Sequence, residues 1–346
     1  MIVLTILLAI IVFGIIILIH EFGHYIVAKK NGVKVEEFAI GMGPKLFGKK
    51  YKETVYSIRA LPLGGFCKML GEDDASEDER SFTNKSVGVR IAIIAAGPIM
   101  NLLLALGITI WFLTVNGYST TIVREVYPDT PAERADFQSG DKVISIDNQK
   151  IHVREEMNFI INETEGRPVE VIILRNGEKI KKTVSPALDP KYNQWLLGFS
   201  LEEGSGNFAS TIREGFWQVA FLVKQTVIGF VRIITGQIGK DQVAGPIGVI
   251  GIIGEAYETG LKSSFFIAVQ YVLYVASLIS ANLGVMNLLP IPALDGGRLV
   301  FLIIEAIRGK PIDVEKEGFI HFAGFVLLMI LMVFIVYNDI VRMVVS

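Results

Sequence analysis

Long apolar runs alternate along the chain with polar segments of differing character. The first run covers residues 2–28 and is apolar on every helical side until its last third. The second covers 91–115 ("IAIIAAGPIMNLLLALGITIWFLTV") and the third 265–289 ("FFIAVQYVLYVASLISANLGVMNLL"). The fourth starts at 322 and runs to about 336, continuing less cleanly to 345. A helix of about 20 apolar residues crosses the hydrocarbon core of a bilayer, so this pattern predicts four transmembrane helices. A further stretch, 211–235, is less uniform, because Lys224 sits mid-run and Gln218 and Gln225 interrupt it. It predicts an amphipathic helix lying on the membrane face, inside an interfacial segment 205–262. A fifth span is the alternative.

The polar segments read differently. Residues 29–90 contain "TVYSIRALPLGGF", which alternates and is rich in β-branched and aromatic side chains, with glycines punctuating "IGMGPKLFG". These signals predict a membrane-associated β hairpin or sheet, followed by an acidic linker, "GEDDASEDER". Residues 118–190 predict a separate inserted domain. It has short β-rich runs, a capped short helix at 130–135, and a hairpin in "RPVEVIILRNGEKIKKTVSP" turning at Asn176-Gly177. The expected fold class is therefore a polytopic α-helical membrane protein with a β element and one inserted domain.

Composition agrees: 51% of the 346 residues are hydrophobic and the mean hydropathy is +0.49. A net charge of −2, from 33 basic and 35 acidic residues, leaves no electrostatic footprint for nucleic acid. The single cysteine, Cys67, excludes an intrachain disulfide and a thiolate-rich metal site. Charge placement orients the helices. Lys29, Lys30, Lys34, Lys45, Lys49, Lys50 and Lys52 follow the first run, and Arg298, Arg308, Lys310 and Lys316 follow the third. By the positive-inside rule, segments 29–90 and 291–320 are cytoplasmic. Both termini and the inserted domain then lie outside; Arg342 alone runs against this. No basic residue precedes Lys29 and no small-residue cleavage site follows, so the first run reads as a retained helix rather than a signal peptide.

Chemistry concentrates in "IILIHEFGHYIVAKK", residues 16–30. His20 and His24 are four apart and share one helix face, the spacing at which two imidazoles bind one zinc ion. Glu21 sits beside that face, placed to accept a proton from water at the metal. The bland alternative is a helix end whose polar residues meet water. Ionisable groups flanked by apolar sequence at membrane depth are costly, and they mark function by default. A catalytic zinc site wants a third protein ligand. His152 lies in the inserted domain, on the wrong side. His321 opens the fourth run and reads as an interfacial residue. Asp295, in "NLGVMNLLPIPALDGGRLVF", falls on the same side as the motif, where prolines and glycines break the helix. On the residues alone, a polar helix cap is an equal reading of Asp295.

"HEFGH" at 20–24 and "LDGG" at 294–297 together resemble the site-2 protease family of intramembrane zinc metalloproteases. "GMGP" (41–44), "GPIMN" (97–101), "VAGPIGV" (243–249) and Asn287 and Pro290 in "NLLPIPALDGG" match it too. The inserted domain resembles the PDZ domains of its bacterial members, in the single-PDZ form. The resemblance covers nearly the whole chain. It implies one Zn2+ per chain held by His20, His24 and Asp295, with Glu21 as general base. Asn287 and Pro290 would support substrate or the oxyanion, although an interhelical hydrogen bond is an equal reading of Asn287. The implied setting is a bacterial inner or plasma membrane, with the site toward the cytoplasm. The implied substrates are single-span membrane proteins, such as anti-sigma factors or remnant signal peptides, with a peptide or C-terminus bound by the PDZ-like domain. The competing classes are a non-catalytic membrane-anchored PDZ adaptor and a zinc transporter.

Overall fold

In this computed structural model, residues 2–72, 76–204, 207–237 and 245–345 are described. The chain opens with α1 (Ile2–Lys30), β1 (Val35–Tyr51), β2 (Thr54–Met69) and α2 (Val87–Asn116). It continues with β3 (Tyr118–Val126), α3 (Pro131–Arg134), β4 (Lys142–Ile146), β5 (Gln149–Lys150), α4 (Arg154–Glu163), β6 (Val169–Arg175) and β7 (Glu178–Val184). Then come β8 (Ala187–Asp189), β9 (Gln194–Leu196), β10 (Phe199–Gly204) and α5 (Phe208–Ile234). It closes with α6 (Pro246–Leu261), α7 (Phe265–Leu288), α8 (Asp295–Arg308) and α9 (Val314–Val345). Two compact units result: Met1–Ile108 with Leu222–Ser346, and Thr109–Phe221.

The first unit is built on α1. Its first half buries Ala9, Val12 and Ile16 with Ile253 of α6 and Val272 and Ala276 of α7. Its far end buries Ala28 with Val35 and Phe38 of β1, Cys67 and Met69 of β2, Ile93 and Ile94 of α2, and Leu302 of α8. The polar motif lies between these two apolar clusters. The β element is more folded than a plain hairpin. Residues 37–40 have partners in two places, Lys68 to Gly65 and Val55 to Ile58, so β1 and β2 curl over each other around the Tyr51–Thr54 turn.

The second unit carries a sheet of order β10-β3-β4-β6-β7, with β5 beside β4. The β6–β7 turn places Asn176 at φ 52 and Gly177 at φ 88, as a two-residue hairpin turn with the native strand twist requires. Thr130 caps α3 by accepting from the Glu133 backbone N–H, with Pro131 in the first turn. Val123, Val143, Ile146, Ile160, Val171 and Ile173 form the core. Asp141 is fully buried and accepts from Arg175 Nε at 2.6 Å and Nη2 at 2.8 Å. β10 pairs with β3, so this sheet runs on past residue 190, where the expected domain ended.

Four expected spans are matched by α1, α2, α7 and α9, but α5 is also long and apolar enough to cross a membrane. The segment read as interfacial thus meets the length and composition of a span, and it is the least apolar of five such helices among the described residues. The 205–262 segment also contains α6, a separate helix that the apolar pattern did not single out. Residues 205–206 and 238–244 of that segment, including the start of "VAGPIGV", and 73–75 of the acidic linker lie outside the described residues.

Candidate metal centre

The i,i+4 spacing does what helical geometry requires. His20 and His24 project from one face of α1, and their Nε2 atoms are 3.3 Å apart. Asp295 meets them from the opposite end of the chain. Its Oδ2 lies 3.1 Å from His20 Nε2 and 3.4 Å from His24 Nε2. These are the described residues that converge as potential metal ligands, with all three atoms within 4.8 Å of one another. Both imidazoles are buried.

The atoms that converge are electron-rich. His24 Nδ1 donates to the Ile93 carbonyl at 2.9 Å, which leaves its Nε2 as a bare lone pair. Asp295 Oδ2 is buried, and its polar neighbours are the two imidazole Nε2 atoms. His20 Nε2, His24 Nε2 and Asp295 Oδ2, held this close, need a proton or a cation among them. Zinc bound tetrahedrally at about 2.0–2.1 Å places neighbouring donors about 3.3–3.4 Å apart; the His20–His24 and His24–Asp295 spacings of 3.3 Å and 3.4 Å fall there, and the His20–Asp295 spacing of 3.1 Å is slightly shorter. The donor set fits zinc.

Local sequence explains the placement. Asp295 is the first residue of α8, and the α8 N-terminus tucks against the turn after α7. A Cβ on Gly296 would lie 2.0 Å from the Leu289 carbonyl oxygen, and one on Gly297 would lie 2.6 Å from that of Ile291. The two glycines of "LDGG" are therefore required for that fit. Just before it, Ala293 takes a left-handed φ of 75, which L side chains rarely adopt. Its N–H donates to His321 Nδ1 at 2.9 Å. His321, read as interfacial, also holds the loop that delivers Asp295. Ion pairs of Arg298 with Glu72 and of Arg90 with Glu305 tie α8 to the β2–α2 loop and to α2.

Glu21 faces the curled sheet: a Cβ on Gly65 would come within 3.4 Å of its Cγ. Asn287 sits half-buried on the last turn of α7, and Pro290 is exposed in the bend that follows. Neither is among the groups that converge on the cluster. Cys67 is buried and burial pushes its thiol well above the usual range, so it stays protonated and takes no part as a thiolate. His152 belongs to the second unit, where its ring stacks on Trp217 at 3.7 Å between centroids.

The sequence reading passed over two features of α2. A Cβ on Gly97 would lie 2.3 Å from His24 Nε2, and Asn101, fully buried, places its side-chain amide 3.3 Å from His20 Nδ1. The only signal for either was "GPIMN", matched as a pattern without a role.

Residues 8–331 match peptidase family M50. A Clostridium acetobutylicum protein, provisionally named a zinc metalloprotease, is 40% identical over 338 residues, 97% of each chain. The zinc metalloprotease RasP of Geobacillus kaustophilus is 32% identical, covering 96% of each chain. The regulator of sigma-W protease RasP of Bacillus subtilis is 30% identical, covering 98% of this chain and 99% of that one. Among solved structures, the PDZ domain of an SdrC-like protein from Listeria monocytogenes is 22% identical. It covers 24% of this chain and 88% of that chain, with a TM-score of 0.22.

Proposed function

Because the chain belongs to peptidase family M50, the site-2 protease family, and is a zinc metalloprotease, we propose that it hydrolyses peptide bonds within the membrane-spanning segments of single-span membrane proteins. Membership in this family sets aside the adaptor and transporter alternatives. The observation that carries the proposal is the convergence of His20, His24 and Asp295 inside an otherwise apolar helix bundle. A soluble substrate gives no reason to place such a site there.

In this reading His20, His24 and Asp295 hold one zinc ion, which when bound acidifies water and polarises a carbonyl. The chain's own groups do the rest. Glu21 accepts a proton from the attacking water and returns it to the departing amine nitrogen. The three ligands fix where the scissile bond must lie. A transmembrane helix hides its peptide bonds in its own hydrogen bonds, so substrate must unwind before attack. The curled β1–β2 sheet, close to Glu21 at Gly65, offers backbone groups with which an unwound segment can pair. Asn287 and Pro290 shape the approach of substrate, and the half-buried Asn287 amide can donate to a developing oxyanion.

The proposed topology has the site toward the cytoplasm, with both termini and the inserted unit outside, following the lysines after α1. That topology counts four spans and keeps α5 interfacial. The inserted unit is PDZ-like, and β10, at the edge of its sheet, offers an edge for adding a peptide strand. Substrates of anti-sigma-factor or remnant-signal-peptide type fit this design.

Substitution Glu21→Gln tests the mechanism. The variant should keep its zinc, lose cleavage, and accumulate uncut single-span proteins in native membranes. Cleavage at the wild-type rate would refute the assignment.

A further inference from the structure

The two imidazoles are oriented from the same stripe of α2. Ile93, Gly97 and Asn101 recur every four residues and so share one helix face. That face lies against the His20/His24 face of α1, with the same spacing. Ile93 supplies a backbone carbonyl to His24 Nδ1 at 2.9 Å. Pro98, inside α2, removes the helix hydrogen bond to the Ile94 carbonyl, next to Ile93 in the chain. Asn101 places its side-chain amide nitrogen 3.3 Å from His20 Nδ1. The Asn101 backbone is pinned in turn, since its carbonyl accepts from Ser280 Oγ of α7 at 2.8 Å.

The two ends of the Asn101 amide have the same shape, so which end faces the ring is decided by chemistry. With nitrogen facing Nδ1, the ring proton sits on Nε2, the atom that converges with His24 and Asp295. With oxygen facing Nδ1, that nitrogen carries the proton and Nε2 presents a lone pair. Turning the amide exchanges one unpartnered group for another, because Oδ1 has no partner in the first arrangement. Hydrogen-bond counting alone therefore does not choose. Ligation does, since a metal-binding imidazole needs its lone pair on the ligating nitrogen and its proton on the other.

We infer that Asn101 is a positioning residue: its carbonyl oxygen accepts from His20 Nδ1–H and fixes the tautomer and ring plane that zinc requires. This rests on His20 being a zinc ligand. The asymmetry between the rings gives the inference its handle. The partner of His24 is backbone and survives any substitution, whereas the partner of His20 is a side chain.

Zinc affinity of the purified full-length protein, measured by competition with a chromogenic chelator, tests it alongside the melting temperature of the chelator-stripped protein. Asn101→Leu, similar in size and without an acceptor, should weaken zinc binding about 10–100-fold. Asn101→Asp, which has only acceptors, should stay within about threefold of wild type, because a carboxylate can replace a carbonyl as partner of a ligating histidine. A purely packing role would shift the melting temperature and leave zinc affinity alone. Wild-type affinity in Asn101→Leu would overturn the inference, as would a loss in Asn101→Asp matching that in Asn101→Leu. If Asn101→Leu does not fold, Asn101→Ala, smaller and likewise without an acceptor, takes its place with the same expected loss of zinc affinity, and wild-type affinity in Asn101→Ala would overturn the inference. His20→Ala separates the two levels. If it loses zinc while Asn101→Leu does not, only the role of Asn101 falls. If His20→Ala also binds normally, the ligand assignment falls and this inference with it.

Discussion

Substituting Gly97 by Ala adds one methyl group where α2 meets the histidines. The new Cβ would lie 2.3 Å from His24 Nε2, 2.6 Å from His24 Cε1 and 2.9 Å from His20 Cε1. Ordinary contact is about 3.5 Å, so the His24 ring must retreat by about 1.2 Å or the helices must part. The ring is held from behind, because Nδ1 donates to the Ile93 carbonyl on the same helix. Ligand distances in a working site are held to about 0.2 Å. A displacement several times larger should cost at least the 10–100-fold in affinity, roughly, that losing an orienting partner costs. Stability should change much less. Overpacking costs about 1–3 kcal/mol, while alanine is about 1 kcal/mol better than glycine inside a helix. The net loss is about 0–2 kcal/mol by these two magnitudes. The variant should therefore fold and insert yet bind zinc poorly, which chelator competition and thermal melting together would read. Zinc affinity within about twofold of wild type would refute the claim that α2 sets the position of His24.

Two other perturbations follow from the same kind of geometry. His321→Phe keeps a ring but removes the acceptor for the Ala293 N–H; it should cost about 0.5–1.5 kcal/mol and loosen the loop before Asp295. Lower zinc affinity would be its signature, and unchanged affinity would mean that the loop holds its left-handed turn unaided. In the second unit, a hydrogen bond from Lys182 at 2.8 Å is the main cause holding Asp136 down to about 2. A carboxylate whose folded pKa lies below its unfolded value stabilises the fold above about pH 4, and that contribution disappears as pH falls toward 2. Lys182→Met should flatten the melting temperature against pH over that window; an unchanged slope would show that the pair adds nothing.

What the sequence made legible was whatever local periodicity encodes. His20, Glu21 and His24 are adjacent in sequence, and an i,i+4 pair needs only a helix to become a site. The Asn176-Gly177 hairpin and the Thr130 cap are local in the same sense. Asp295 was not legible from periodicity, because its place depends on how α8 tucks under the α7 turn; only the family resemblance tipped it from helix cap to ligand. Gly97 and Asn101 depend on the register of α2 against α1, which no single segment contains. His321 sat at the head of an apolar run and looked interfacial because its partner, the Ala293 N–H, is a backbone group that carries no sequence mark. The status of α5 escaped for another reason. A helix with scattered polar residues satisfies both a surface and a spanning reading, and hydropathy does not separate them.

The three groups that meet at the metal centre come from opposite ends of the chain, with the whole second unit threaded between them. If zinc is held as proposed, a growing polypeptide displays His20 and His24 early and has nothing to complete the triad until α8 has been synthesised. A half-made copy is then harmless to its neighbours in the membrane. On that premise truncation anywhere before Asp295 would leave an inert fragment rather than an unregulated cutter, and biosynthesis itself would act as the safety catch.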